Sequence, residues 1–395
     1  MAGGAGIRLW PASTSSRPKQ FLSIPPESIP PEAGKRRYGG RNRSFLSAAI
    51  ERALAVTSDS DNGRVIIVAG KKHIGLIVDE CAKINTRERE RLVLIPEPLA
   101  KNTAPAIACA LLYIDRVSAG KEQNVLVLTS DHIIQPLNLF KTDAYAAARM
   151  AGTDNLVVFG IPPVKPETGY GYIEAAEAIT IPPDKKNRSR RYKPEAFSVA
   201  SFREKPDIKK AKKFIASRKF YWNSGMFAFS SKFLLAEFSR CSPEVIAPFN
   251  KLGCPAKHSY LKRRGLKILD GWDNLETAYS KSRSISFDYA VAEKCRAIVM
   301  IKAGFSWIDV GSWDEYVRLA GNTQTDVYGT KEAIGTCFVD SDIPVALCGV
   351  EDLIVVLRSG KDGRSPALLI SKKGETQRIK EIAEEIKASG RTDLL

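Results

Sequence analysis

The sequence predicts an α/β fold built on a mixed, mostly parallel sheet, followed by a small β-rich C-terminal domain. Three observations carry this expectation. Short runs rich in β-branched and apolar residues recur through about residue 160, each bounded by turn residues. Stretches with helix-like apolar spacing separate them, and such alternation implies a sheet covered on both faces. Past about residue 321 the pattern changes to closely spaced short strands with turns between them.

In chain order, VIIVA (65–69), RLVLI (91–95), NVLVLTS (124–130) and NLVVFG (155–160) read as strands. Lys71–Ala82 and Ala104–Val117 read as helices between them, and Pro206-Asp207 opens another. Two segments, 24–44 and 181–196, are rich in Pro and basic residues and read as loops. GTCFVD, PVALCG, DLIVVL and PALLIS are the strand-like runs of the tail, and Glu375–Ala388 is its closing helix. The change at Gly321-Asn322 divides the chain into a catalytic domain over 1–321 and a small β-rich domain over 322–395.

Composition excludes several classes. With 395 residues, 44% of them hydrophobic and 26% charged, the chain buries a large core, and wholesale disorder is ruled out. No apolar run approaches the roughly 18 residues of a membrane-spanning helix, and the N-terminus lacks a secretory layout. Seven cysteines (81, 109, 241, 254, 295, 337 and 348) form no CxxC pair, so reduced, mostly buried thiols and a cytoplasmic location are expected. A net charge of +16 favours polyanionic partners. Basic knots lie at Lys185–Lys193, at Lys209–Lys219 and at Lys262–Lys267, without interleaved aromatics or a nucleic-acid-binding motif. They read as solvated surface; nucleic acid and membrane are not expected partners.

The first chemical motif is Gly3-Gly4-Ala5-Gly6-Ile7-Arg8-Leu9-Trp10-Pro11, followed by Arg17-Pro18-Lys19-Gln20-Phe21. Three glycines in four residues let backbone N–H groups cradle phosphate oxygens, to which Arg8 and Lys19 add charge-assisted bonds. Neither a P-loop nor a dinucleotide fingerprint is present, because the Gly-Lys-Ser/Thr and the third fingerprint glycine are missing. By itself the glycine run is equally an ordinary turn.

Further motifs follow in order: Glu97-Pro98, Asn102-Thr103-Ala104-Pro105, Thr129-Ser130-Asp131-His132 and Thr168-Gly169-Tyr170-Gly171-Tyr172. After them come Arg203-Glu204-Lys205-Pro206, Trp222-Asn223-Ser224-Gly225, Ser286-Phe287-Asp288-Tyr289 and Trp307-Ile308-Asp309-Val310-Gly311-Ser312-Trp313. This ordered set, from residue 3 to 313, resembles the sugar-1-phosphate nucleotidyltransferases, and within them the mannose-1-phosphate guanylyltransferases. The tail, with Gly349-Val350-Glu351-Asp352-Leu353-Ile354, resembles the family's small C-terminal domain.

The resemblance implies a Rossmann-like fold of the nucleotide-diphospho-sugar transferase type. It also implies formation of GDP-mannose and pyrophosphate from GTP and mannose 1-phosphate, with Mg²⁺. Arg8 and Lys19 would serve the β- and γ-phosphates, with the Gly3, Gly4 and Gly6 loop; Glu97, Asn102 and Thr103 would lie near the guanine. Asp131 and Asp309 would be the Mg²⁺ carboxylates. Glu204 would accept from sugar hydroxyls, Lys205 would hold the sugar phosphate, and Asn223 with Gly171 and Gly225 would complete the sugar pocket. No general base is needed, because the attacking phosphate is already ionised. Each residue has a plainer reading: Asp131 and Asp309 as turn or cap residues, Lys205 as a surface charge, and His132, Trp222 and Trp313 as packing. The same fold acting on another NTP or hexose 1-phosphate, and a weakly active regulatory homologue, are the alternatives; the oligomeric state is not readable from the sequence, although the small C-terminal domain could supply a homodimer contact.

Three positions depart from the family pattern. Only Met1 and Ala2 precede the first Gly-Gly, where the family carries a short apolar strand central to its sheet. Its loss would leave ladder groups on two neighbouring strands unpaired, so a start site misassigned downstream of the true one is expected. Ile7 stands where the family usually has Thr, and Ser13-Thr14 where it tends to have Ser-Arg. No cupin-type isomerase domain follows, so a single-activity form is expected.

Overall fold

A computed structural model describes residues 7–24, 43–58, 63–183, 192–320, 327–360 and 365–395. Gly3, Gly4 and Gly6, most of the expected loop 24–44, half of the expected loop 181–196 and the expected boundary at 321/322 lie outside the described residues.

The four strand-like runs of the first half all form strands. They are β1 (Val65–Gly70), β2 (Leu92–Glu97), β3 (Asn124–Val127) and, after a short β4 (His132–Gln135), β5 (Leu156–Ile161). Longer strands follow, β6 (Tyr172–Ile179), β7 (Glu195–Arg203) and β8 (Phe220–Ser230). A hairpin, β9 (Tyr260–Arg263) with β10 (Leu266–Leu269), precedes β11 (Ile298–Lys302) and β12 (Ser306–Asp309). Two sheets result, ordered β1-β2-β10-β9 and β3-β8-β5-β11-β7-β6, while β12 and β4 form a separate antiparallel pair. The pairs β1/β2, β2/β10 and β5/β11 are parallel, and the other pairings of β1–β12 are antiparallel, so the sheets are mixed rather than mostly parallel. Among the described residues β1 pairs only with β2 and β3 only with β8, so each sheet presents an open edge.

Helices cover the sheets because their apolar stripes fit the alternation of the strands. They include α1 (Phe45–Val56), α2 (Ile74–Ala82), the single turn α3 (Thr86–Arg89), α4 (Thr103–Val117) and α5 (Leu137–Ala151). Expected helix 71–82 begins with a tight turn at Lys71–His73, since no side chain caps the α-helix at His73. In β5, Leu156 and Val158 face the α4 side while Val157 and Phe159 face α5, and all four are fully buried. A strand buried on both faces reads as a continuous apolar run, which is why NLVVFG was legible. The helix expected after Pro206 is α6 (Ile208–Ser217), capped by Asp207, whose side chain accepts from the Lys210 N–H.

The tail forms β13 (Val327–Gly329), β14 (Phe338–Ser341), β15 (Val345–Leu347), β16 (Leu353–Arg358) and β17 (Ala367–Lys372), arranged as β13-β15 and β14-β16-β17. Its closing helix runs Ile379–Ala388, after a tight turn at Thr376–Arg378. The tail shares an apolar cluster with the N-terminal segment: Phe338, Ile354, Val356 and Ile379 pack with Leu9, Trp10 and Trp313. The Trp313 indole donates to the Trp10 carbonyl (2.9 Å), and the Trp10 indole donates to the Leu394 carbonyl (2.7 Å). Trp313 is therefore core, as the sequence suggests, and it ties the first and last segments together. Trp313→Ala is expected to lower the unfolding free energy by about 3–5 kcal/mol, read as a lower urea midpoint at unchanged slope.

Cys81, Cys109, Cys295 and Cys337 are buried, and all seven cysteines are free. No helix among the described residues is long and apolar enough to cross a membrane.

Candidate active site

Three distant parts of the chain meet at Lys19. This lysine sits in a tight turn (Lys19–Phe21) introduced by Pro18. Asp131 lies between β3 and β4, and Asp309 ends β12, where the register places it opposite His132. The buried Lys19 ammonium donates to Asp309 Oδ1 (2.7 Å) and Asp131 Oδ2 (3.3 Å). Burial opposes its charge, but the two carboxylates outweigh burial and raise its pKa above the ordinary lysine value. Burial likewise pushes Asp131 up, yet Lys19 and then His132 overcome it and hold that carboxyl at about 2. Both partners are ionised across the neutral range.

His132 stands behind this pair. Its Nδ1 accepts from the Trp307 indole N–H (3.0 Å) and lies 2.5 Å from Thr129 Oγ1. Burial keeps its pKa below the usual histidine value. The Arg52 guanidinium, buried on α1, donates to the His132 carbonyl (3.1 Å) and so fixes the Asp131–His132 turn. Burial, then the neighbouring Arg43, lowers Arg52 to about 9.

The donor atoms of Asp131, His132 and Asp309 lie within 4.8 Å of one another, a spacing that one cation spans. The Lys19 ammonium already stands between the two carboxylates as a cation. Two carboxylates without a thiolate suit an oxygen-preferring ion such as Mg²⁺, so the residues fit the cation implied by the sequence. Arg8 is close by: a Cβ on Gly311 would come within 3.4 Å of its Nη1, so its guanidinium packs on the Asp309–Gly311 turn.

A second cluster gathers Gly171, Glu204, Lys205, Asn223 and Gly225. Asn223 donates its backbone N–H to the Gly171 carbonyl (2.8 Å), and its side-chain oxygen accepts from the Gly225 N–H (3.1 Å). A Cβ at 171 would come 2.5 Å from Glu204 Oε2, so a side chain there would push that carboxylate out of its place. Gly225 has φ +68, which lets the strand bend beneath Thr129; a Cβ there would lie 3.6 Å from the threonine methyl. Glu204 pairs with Lys205 (3.0 Å), and Lys205 holds φ +44, a left-handed backbone that costs a lysine about 1–2 kcal/mol. Such strain persists where surrounding structure imposes it, commonly at functional sites.

Glu97 ends β2, and the Tyr279 hydroxyl donates to its Oε1 (3.3 Å). Burial raises Glu97 to about 7, with the tyrosine bond opposing the rise. Asn102 caps α4 through its side-chain oxygen, which accepts from Thr103 N–H (2.8 Å). Thr103 Oγ1 accepts from the Phe287 N–H (2.8 Å), which joins this end to the second cluster. Asn102 and Thr103 therefore have local structural duties in addition to any ligand contact.

Several residues at the site were not singled out from the sequence. Asp288 accepts from Asn223 Nδ2 (2.9 Å); burial, then the Glu204 charge, raises it to about 6. Tyr170 stacks edge-on against both Trp222 (5.4 Å) and Trp307 (5.2 Å), bridging the two clusters. Tyr279 and Arg52 act through contacts distant in sequence and no local pattern marks them, while Tyr170 and Trp307 lie within motifs already named. Asp288 stood within a recognised motif but carried no assigned role.

Residues 46–326 match the family model described as nucleotidyl transferase, and the chain belongs to that family. The mannose-1-phosphate guanylyltransferase of Escherichia coli (strain K12) is 32% identical over 401 residues, covering 99% of this chain and 73% of that protein. The mannose-1-phosphate guanylyltransferase of Klebsiella pneumoniae is 32% identical over 405 residues, covering all of this chain and 74% of its own length. The crystal structure of a Thermus thermophilus protein described as mannose-1-phosphate geranyltransferase superposes with a TM-score of 0.70 at 24% identity, over 98% of each chain. That likeness establishes the shared fold.

Proposed function

We propose that this nucleotidyltransferase makes GDP-mannose and pyrophosphate from GTP and mannose 1-phosphate. The observation that carries the proposal is the convergence of Lys19, Asp131 and Asp309 beside the Gly171–Glu204–Asn223 cluster, in a chain about one-third identical to proteins of that name. A phosphate oxygen of the sugar phosphate attacks the α-phosphorus of GTP in line. The bond from that phosphorus to the oxygen bridging to the β-phosphate breaks, and pyrophosphate carries away the electron pair. Such a reaction depends on alignment and on charge over the phosphates. Lys19 and Arg8 face the departing phosphates, with the Gly3, Gly4 and Gly6 backbone as cradle. Asp131 and Asp309 hold Mg²⁺, which when bound neutralises phosphate charge. Glu204 and Asn223, oriented by Asp288, accept and donate to sugar hydroxyls, and Lys205 neutralises the sugar phosphate. Asn102 and Thr103 line the base end.

Glu97 is the acceptor for the guanine N–H donors. It accepts from both donors at once only when ionised, and its pKa near 7 places that change at neutrality. KM for GTP should therefore fall as pH rises from 6 to 8. In Tyr279→Phe the bond favouring the ionised form is lost, so this fall should move to higher pH; initial rates against pH at saturating sugar phosphate give the answer.

The seven free thiols suit a reducing compartment, and we assign the protein to the cytoplasm on that basis. The catalytic unit is taken as 1–321 and the tail as 322–395. A second copy would add along β17, where Leu368 and Ile370 are 50% and 60% exposed; light scattering at micromolar concentration tests for a dimer.

Pyrophosphate release with Mg²⁺, measured across four nucleoside triphosphates with mannose or glucose 1-phosphate, tests the assignment. Turnover confined to GTP with mannose 1-phosphate is expected. Equal or faster turnover with another pair would move the assignment within the family.

A further inference from the structure

Four protein groups contact the His132 imidazole, Trp307 and Thr129 at Nδ1 and the Asp131 and Asp309 carboxylates facing Nε2, and the Trp307 contact decides which nitrogen carries its proton. The Trp307 indole N–H is a donor only, so the nitrogen that receives it at 3.0 Å, Nδ1, presents a lone pair. A neutral imidazole has one N–H, which must then sit on Nε2. Nε2 faces Asp131 Oδ1 at 3.7 Å and Asp309 Oδ1 at 3.9 Å, too long for hydrogen bonds but with both carboxylates on the side of the N–H. The ring is held in this pose by edge-on packing with Trp307 (centroids 4.9 Å apart) and by burial, with 8% of the residue exposed.

We propose that Trp307 locks His132 as its Nε2–H tautomer, so that the histidine faces Asp131 and Asp309 as a donor, never as a ligand, and the cation site keeps oxygen donors only. His132 is thus a positioning and selectivity residue. By position alone it would make a third ligand, and a nitrogen ligand there would favour zinc-like ions over Mg²⁺. The indole hydrogen bond removes that ligand without removing the side chain. The proposal rests on Asp131 and Asp309 being the cation's carboxylates; the tautomer itself does not.

The chain has three histidines, so ¹⁵N-histidine labelling gives few signals, and His132→Asn identifies those of His132 by their loss. In the metal-free protein Nδ1 should resonate as an unprotonated nitrogen and Nε2 as a protonated one. The reverse pattern overturns the proposal, whatever the protein's activity. The second measurement is calorimetric titration of Mg²⁺ and of Zn²⁺ alone. Trp307→Phe keeps an aromatic ring but loses the donor, and the Thr129 hydroxyl can accept as well as donate, so Nδ1–H becomes allowed and Nε2 gains a free lone pair. Zn²⁺ should bind this variant at least about tenfold more tightly than the parent, the scale typical of residues that orient ligands, with Mg²⁺ affinity nearly unchanged. Adding His132→Asn should abolish the gain. Unchanged Zn²⁺ affinity in a folded Trp307→Phe protein overturns the selectivity role. Failure of the parent to bind Mg²⁺ at all, with the tautomer as described, would instead count against the carboxylate assignment.

Discussion

Asp309→Asn is expected to cut kcat/KM about 10³-fold while leaving the melting temperature within a few degrees of the parent. Asparagine keeps the shape and one carbonyl oxygen but removes the charge that binds the cation and, through Lys19, organises the phosphate end. Losing one preorganised electrostatic stabiliser of this kind costs about 10²–10³ in rate, and the cation's grip falls with it. The fold should tolerate the change, because Lys19 retains Asp131 as a partner at 3.3 Å and the Asp309 side chain is already 25% exposed. Pyrophosphate release at saturating Mg²⁺, beside a thermal melt, separates the two effects. Activity within fivefold of the parent would remove Asp309 from the centre.

Lys19→Met should have two opposite consequences. Turnover should fall about 10²–10³-fold, since a positive charge beside the departing phosphates is lost. Mg²⁺ should nevertheless bind the nucleotide-free protein about tenfold more tightly, because the ammonium that now sits 2.7 Å from Asp309 no longer competes for the carboxylates. A merely structural lysine would give weaker or unchanged metal binding, so calorimetry with Mg²⁺ alone decides between the roles.

The strands of the first half were legible because their residues are buried on both faces, which leaves an unbroken apolar signature, as in Leu156–Phe159. The tail strands were legible for a different reason: turn residues punctuate them closely. The division of the strands into two sheets was not legible, since pairing between β2 and β10 joins residues more than 170 apart. At the site, Lys19, Asp131 and Asp309 were identified through motif resemblance, and the structure brings them together. Their support was not visible. Trp307 reads as an apolar residue in a short strand, and only the fold aims its N–H at His132. Arg52 drew no reading from the sequence, yet it is buried on α1 against the His132 carbonyl. Asp288 shows no sign in sequence of the burial and of the Glu204 charge that raise it. Side chains that act on other side chains leave little trace in local pattern, because their partners lie on other elements.

The most direct test of the central claim is ³¹P NMR of the protein with Mg²⁺, GTP and mannose 1-phosphate. Consumption of GTP matched mole for mole by pyrophosphate and GDP-mannose is the predicted result. GTP consumed to GDP and inorganic phosphate, or left intact by a folded protein that binds it, would contradict the account.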